Sequence, residues 1–256
     1  MRVFIYFFTA LAASFIGAVS GIGGGVIMKP VLDSMGEFPP AAASFLSGCT
    51  VLAMAVSSML RRRNALGSKN LRLTVYLSLG AAAGGIFGKQ AASAIGGNLG
   101  LIQTALLLLV NGAVLIYVRN KKRTVGLNVV RREASMGIGL ALGFVSSFLG
   151  IGGGPLNLAV LYFFFSMEAK EAAENSLFII FVSQTASLGA VLLTRTMPDF
   201  PPAVLLLMCT GGVTGAIFGS AAAKRMDDRR TEGFFSLLLW FLIGLNVFHL
   251  FQIFCD

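Results

Sequence analysis

Charge is what this chain has least of. Only 12% of its 256 residues are Asp, Glu, Lys or Arg, against about 25% in a typical soluble domain. Too few charged groups remain to coat a water-facing surface, which excludes an ordinary soluble protein. Cysteine is scarce as well. Cys49, Cys209 and Cys255 form no CxxC pair, which leaves no disulfide framework and no zinc site; each lies in or beside an apolar run and reads as a packing residue. The single histidine, His249, has no partners nearby in sequence for a triad or a metal cluster and reads as an interfacial residue. No nucleophile–base pair and no paired intramembrane acids stand out. The chain therefore reads as not an enzyme, with no cofactor and no metal.

What is abundant is apolar. Hydrophobic residues make up 56% of the chain and mean hydropathy is +0.82. Runs of about twenty such residues span some 30 Å of hydrocarbon as helices, so the expected class is an all-α polytopic membrane protein. The net charge of +9 would suit nucleic acid, but its placement does not. Fifteen of the twenty Lys and Arg residues fall in three short loops, 61–72, 119–132 and 224–230. That is the distribution of cytoplasmic loops, with contact to anionic lipid headgroups as a further consequence. No nucleic-acid partner is expected.

One stretch occurs twice. Ser20-Gly-Ile-Gly-Gly-Gly-Val-Ile-Met-Lys-Pro30 near the start is echoed by Leu149-Gly-Ile-Gly-Gly-Gly-Pro-Leu-Asn157 in the middle. Each lies in an apolar run, so each is a helix broken within the membrane. Irregular backbone at that depth is tolerated only where protein buries it or where it lines a cavity. Residues 1–20 have the outline of a secretory signal, but the equivalent run 136–149 is internal, and 3–20 reads as the first half of a broken helix. Residues 26–35 complete it, followed by spans at 41–60, 71–94 and 99–118. The second half repeats the order: 134–150 and 155–167, then 175–194, 203–223 and 234–254. Ala41-Ala-Ala-Ser-Phe45 is echoed by Ala173-Glu-Asn-Ser-Leu177, and Gly84-Gly-Ile-Phe-Gly88 by Gly215-Ala-Ile-Phe-Gly219. Two homologous repeats of about four to five segments follow, 1–123 and 134–256, joined by a basic cytoplasmic linker at 124–133.

Keeping all three basic loops on one side requires each broken unit to be a hairpin, which inverts the repeats about the membrane plane. If each unit instead crossed once, there would be eight spans in parallel halves. The count favours inversion.

The candidate substrate site collects around the breaks: Gly21, Gly23, Gly24, Gly25 and Lys29 in the first half, Gly150, Gly152, Gly153, Gly154 and Asn157 in the second. Asn175, Ser44 and Ser176, at the opening of the span after each break, join them. Half-helices starting after each glycine cluster would aim N–H groups and positive dipole ends at a central anion. Lys29, one turn beyond Gly25, would add a cation, and an intramembrane charge is a functional candidate by default. Lys89 reads rather as a snorkelling residue, and Lys29 is the stronger candidate. Asn111 and Asn246 read as helix-bonding amides. Glu168, Glu171 and Glu174 read as a solvated face. The Gly84/Gly88 and Gly215/Gly219 pairs are small-xxx-small packing motifs, and neither glycine cluster fits a nucleotide fingerprint.

The doubled Gly-Ile-Gly-Gly-Gly, Pro30 and Pro155 just behind it, and the Ala-x-x-Ser-Φ opening of the next span resemble the sulfite exporter TauE/SafE family, also called the 4-toluene sulfonate uptake permease family. The resemblance covers essentially the whole chain. It implies a multi-pass permease of the bacterial plasma membrane for sulfite, sulfonates or other organosulfur anions, working by alternating access between the repeats. A membrane-embedded structural or assembly factor without a transport cycle is the alternative. Homo-oligomer formation and proton coupling are left open.

Overall fold

A computed structural model describes residues 2–61, 71–94, 99–120, 127–129, 131–149, 153–195 and 197–255. All elements among them are helices: α1 (Arg2–Ser20), α2 (Gly25–Met35), α3 (Pro40–Arg61), α4 (Leu71–Ala94), α5 (Leu99–Asn120), α6 (Arg132–Phe148), α7 (Gly154–Phe165), α8 (Ala169–Leu193), α9 (Pro202–Lys224) and α10 (Asp228–Cys255). Ala41–Arg61, Leu101–Asn120, Ala169–Leu193, Pro202–Lys224 and Asp228–Phe248 are long and apolar enough to cross a membrane, and Phe4–Ser20 and Gly154–Phe165 are shorter apolar helices. α4, 24 residues long, packs along α6 and against α8.

Local chemistry sets the helix ends. Pro40 and Pro202 open α3 and α9, where a missing N–H costs nothing. Gly36 ends α2 in the left-handed region at φ 64°. α8 and α10 begin about six residues earlier than the apolar pattern suggests, because their first turns are polar yet capped. Glu171 lies in the first turn of α8, where a carboxylate favours the dipole. Asp227 accepts the Arg230 N–H at 3.0 Å ahead of α10.

Both broken units are hairpins. At the first, Tyr6 near the start of α1 hydrogen-bonds Glu37, just past α2, and its ring meets Phe38 at 5.6 Å. At the second, the N–H groups of Leu127 and Val129, on the approach to α6, donate to Phe163 O and Phe164 O at the end of α7 at 2.9 and 2.7 Å. Neither unit leads from one end of the bundle to the other.

The side-chain contacts also sort the helix ends. Arg132 at the start of α6 lies over Tyr76 near the start of α4 at 5.7 Å. Lys170 N, at the start of α8, donates to Asp228 at the start of α10 at 2.8 Å. Phe45 stacks on Phe200 at 5.3 Å, and a Cβ on Gly212 would lie 2.7 Å from Thr50, so α3 and α9 run in the same direction. The described parts of all three basic loops therefore share one end, here the basic end. The α6–α7 hairpin opens there, and the α1–α2 hairpin opens at the opposite end.

Two glycine seams hold the bundle. Cβ atoms on Gly211 and Gly219 of α9 would come within 2.5 Å of Phe7 O and Phe15 O of α1, and one on Gly215 would collide with Leu11 O. On α4, Gly80, Gly84 and Gly88 stand in the same relation to Met136, Leu140 and Phe144 of α6. Backbone meets backbone at these seams because no side chain intervenes.

Candidate functional site

At the first break the chain turns through left-handed backbone, Gly21 at φ 77° and Gly23 at φ 85°, a region that glycine enters without steric cost. Ser20 ties off the end of α1, its hydroxyl donating to Ile16 O at 2.8 Å and accepting from Ile22 N at 3.4 Å. Gly24 caps α2, its carbonyl accepting from Met28 N at 2.9 Å. Residues 21–26 are all buried. Among the described residues no acceptor meets the amides of Gly23, Gly24, Gly25 and Val26. The start of α2 is thus a cluster of buried donors at the positive end of a dipole.

α8 forms the wall opposite. A Cβ on Gly21 would collide with Ala173, and one on Gly23 would lie 3.0 Å from Ile180. Ser176, between those two on the same helical face, is fully buried, and its hydroxyl has no partner among the described residues.

The second break is only partly described, since Gly150 and Gly152 lie outside the described residues. Gly153 (φ 119°) and Gly154 (φ 42°) lead into α7. Asn157 follows one turn later, 1% exposed, and neither atom of its amide group has a partner among the described residues. Its Nδ2 lies 2.5 Å from where a Gly153 Cβ would stand, so the side chain leans back over the helix N-terminus as helical geometry favours. Pro155 has no N–H to offer. Those of Gly154 and Leu156 meet no acceptor among the described residues.

The other candidates fall elsewhere. Asn175 is occupied, accepting from Thr74 Oγ1 of α4 at 2.8 Å and donating to Glu171 O at 2.9 Å, which is a bond between helices. Ser44 is exposed. Lys29 points along α2 away from the break, with Nζ 2.9 Å from Asp33 Oδ2. Lys89 is exposed near the end of α4. Asn246 donates to Leu242 O of its own helix at 2.7 Å, whereas Asn111, fully buried, has no partner for either amide atom among the described residues.

The two breaks do not share one central point. The first lies against α8 four to eleven residues from its basic end. The second follows Phe148, whose carbonyl accepts from Gln103, near the start of α5 at the opposite end, at 2.6 Å. α1 is 19 residues long, about 28 Å, which carries its break past the middle. An apolar cavity of about 230 Å³, lined by Leu106, Val110, Phe144, Val145, Phe148 and Leu149, adjoins the second break. Among the described residues no group of three His, Cys, Asp or Glu is placed to hold a metal ion.

The family model for the sulfite exporter TauE/SafE matches residues 6–247, nearly the full chain. The chain belongs to the TauE/SafE family. TauE/SafE proteins are membrane transporters for sulfite and related anions, and the five membrane-length helices suit a TauE/SafE permease in lipid. Comparison with curated proteins gives no match. For a carrier of anions, what stands out is buried donor groups at two helix N-termini and a buried side-chain amide leaning over one of them.

Proposed function

We propose that this TauE/SafE member carries sulfite, sulfonates or closely related small anions across a bacterial plasma membrane by alternating access. Its anion site is the N-terminus of α7, where Gly154 and Leu156 supply backbone donors and Asn157 a side-chain amide. One observation carries the reading: Asn157 is buried at a helix N-terminus, its amide unpartnered among the described residues. A buried donor without a partner costs roughly 1–3 kcal/mol, and an oxyanion between the amide and the helix end would accept from Asn157 Nδ2–H and from the N–H groups of the helix end. The buried start of α2, with Ser176 beside it, offers the anion a second stop nearer the basic end. The opposed hairpins support inverted repeats, and the matching glycine seams support duplication.

The seams also bear on which parts move. α1 of the first half rests on α9 of the second, and α4 of the first on α6 of the second. The bodies that rock are therefore α1–α3 with α9 and α4 with α6–α8, rather than residues 1–123 against 134–256. Labelled sulfite uptake into proteoliposomes tests the site. Asn157→Ala should raise the half-saturation concentration roughly ten- to a hundredfold, the equivalent of one hydrogen bond to a charged group. Unchanged kinetics would remove the anion from the α7 terminus.

A further inference from the structure

α3 and α8 open on matching sequence, Ala41-Ala-Ala-Ser-Phe45 in one and Ala173-Glu-Asn-Ser-Leu177 in the other. In that register Ser44, Gly48, Val51 and Ala55 of α3 answer to Ser176, Ile180, Ser183 and Ser187 of α8. Each set recurs at helical spacing and forms one stripe of its helix. Both stripes face the interior of the bundle. Val51 and Ile180 stand 3.9 and 3.0 Å from where a Gly23 Cβ would lie, and Val51, Ala55 and Ile180 share one core cluster. The lipid side of α3 is marked instead by exposed Val56 and Leu60, about 120° and 160° around the helix from Ser44.

The stripes run in opposite directions, since α3 starts at the end away from the basic loops and α8 at the basic end. On α3, Ser44 is exposed, whereas Gly48, Val51 and Ala55 are buried. On α8, Ser176 and Ile180 are buried, whereas Ser183 and Ser187 are only half-buried. Exposure therefore rises toward the same end on both helices, although the order of residues is reversed. The two matching serines end in opposite surroundings. Ser44 is open, while Ser176 is fully buried and its hydroxyl has no partner among the described residues. Such burial is costly, and moving α8 away from the first break would return Ser176 to water. The two helices lie on different sides of the glycine seams, α3 with α1 and α9, α8 with α4 and α6.

We propose that the structure is the state open on the side away from the basic loops, and that Ser44 and Ser176 are the two gate positions of one rocking motion. When the protein opens toward the basic side, Ser176 becomes exposed and Ser44 is buried. This rests on the reading of the protein as an alternating-access carrier. It adds which side is open, which helix faces part, and which residues exchange surroundings.

The experiment uses Ser44→Cys, Ser176→Cys and the double variant in a cysteine-free background, with an impermeant thiol reagent as the probe. Ser44→Cys should react in intact cells, and Ser176→Cys only in inside-out vesicles. In the double variant, a bulky adduct placed at position 44 from outside should hold that side open. Labelling at 176 in vesicles made afterwards should then fall roughly tenfold, as the population exposing it is lost. No reaction at 44 in intact cells would overturn the proposal, as would a position 176 that reacts from neither side or is indifferent to the adduct. If Ser176→Cys fails to insert, Ala55→Cys, buried in the basic half of the α3 stripe, takes its place with the same expectation. Labelled sulfite uptake by the same variants keeps the two readings apart. Uptake with uncoupled labelling would leave a sulfite carrier without this gate. Coupled labelling without sulfite uptake in the unmodified protein would keep the gate and remove sulfite as its substrate.

Discussion

Tyr6, six residues into the chain, gives its phenolic hydrogen to the carboxylate of Glu37, which lies beyond the end of the second helix. One bond thus joins the mouth of the first hairpin, and it fixes the end of the bundle at which that hairpin opens. At the mouth of the second hairpin the backbone N–H groups of Leu127 and Val129 bond the carbonyls of Phe163 and Phe164. The first opens away from the basic loops and the second toward them.

Labelling should read that difference directly. In a cysteine-free background, Pro39→Cys and Asp199→Cys should react in intact cells with an impermeant thiol reagent. Glu168→Cys and Arg230→Cys should react only after lysis. Equal labelling at 39 and 168 would place both mouths on one side and reject the opposed hairpins.

Gly153→Val should abolish transport while membrane insertion survives. At φ 119° a β-branched residue is strained by about 1–3 kcal/mol, and its Cβ would press on the Asn157 amide. Gly24→Val should do the same at the other break, where a Cβ would lie 3.1 Å from the Ala13 carbonyl. Normal uptake in both variants would reduce these glycines to packing.

The seams should be sensitive in stability first. Gly84→Leu and Gly215→Leu each push a side chain into a facing carbonyl, and overpacking of this kind costs about 1–3 kcal/mol or more. Both should lower the melting temperature in detergent by several degrees. Gly112→Leu, whose Cβ would meet nothing within 4 Å, serves as the control. Equal melting temperatures for all three would mean that the seams are not where the bundle is held.

Lys29 can be assigned by a pair of variants. Lys29→Met alone leaves the half-buried Asp33 carboxylate without its cation, and should lower stability. Lys29→Met combined with Asp33→Leu removes both charges and should restore it, with a half-saturation concentration for sulfite within about twofold of the unmodified protein. A tenfold weakening that persists in the double variant would return Lys29 to the anion site.

Much of the architecture is legible in the chain because lipid simplifies the problem. Where water cannot satisfy the backbone, apolar length means helix, basic loops share one side, and a doubled glycine run marks where each helix must break. The composition and the Gly-Ile-Gly-Gly-Gly pair were enough to point to the family that the comparison assigns. The starts of α8 and α10 were less legible, because their first turns are held by dipole and cap rather than by an apolar stripe.

Within the site, the sequence singled out the breaks, Asn157 and Ser176. It treated Asn175 and Asn157 alike, and Asn111 like Asn246, because an amide in an apolar run looks the same whether it is bonded or not. Which amides have partners depends on what stands opposite: Thr74 for Asn175, a carbonyl of its own helix for Asn246, and no group among the described residues for Asn111 or Asn157. The direction of Lys29 was likewise settled by Asp33 one turn on rather than by the glycine break one turn back. Hydrogen bonding is short-ranged and directional, so those assignments belong to the packed helices and not to the spacing of letters along the chain.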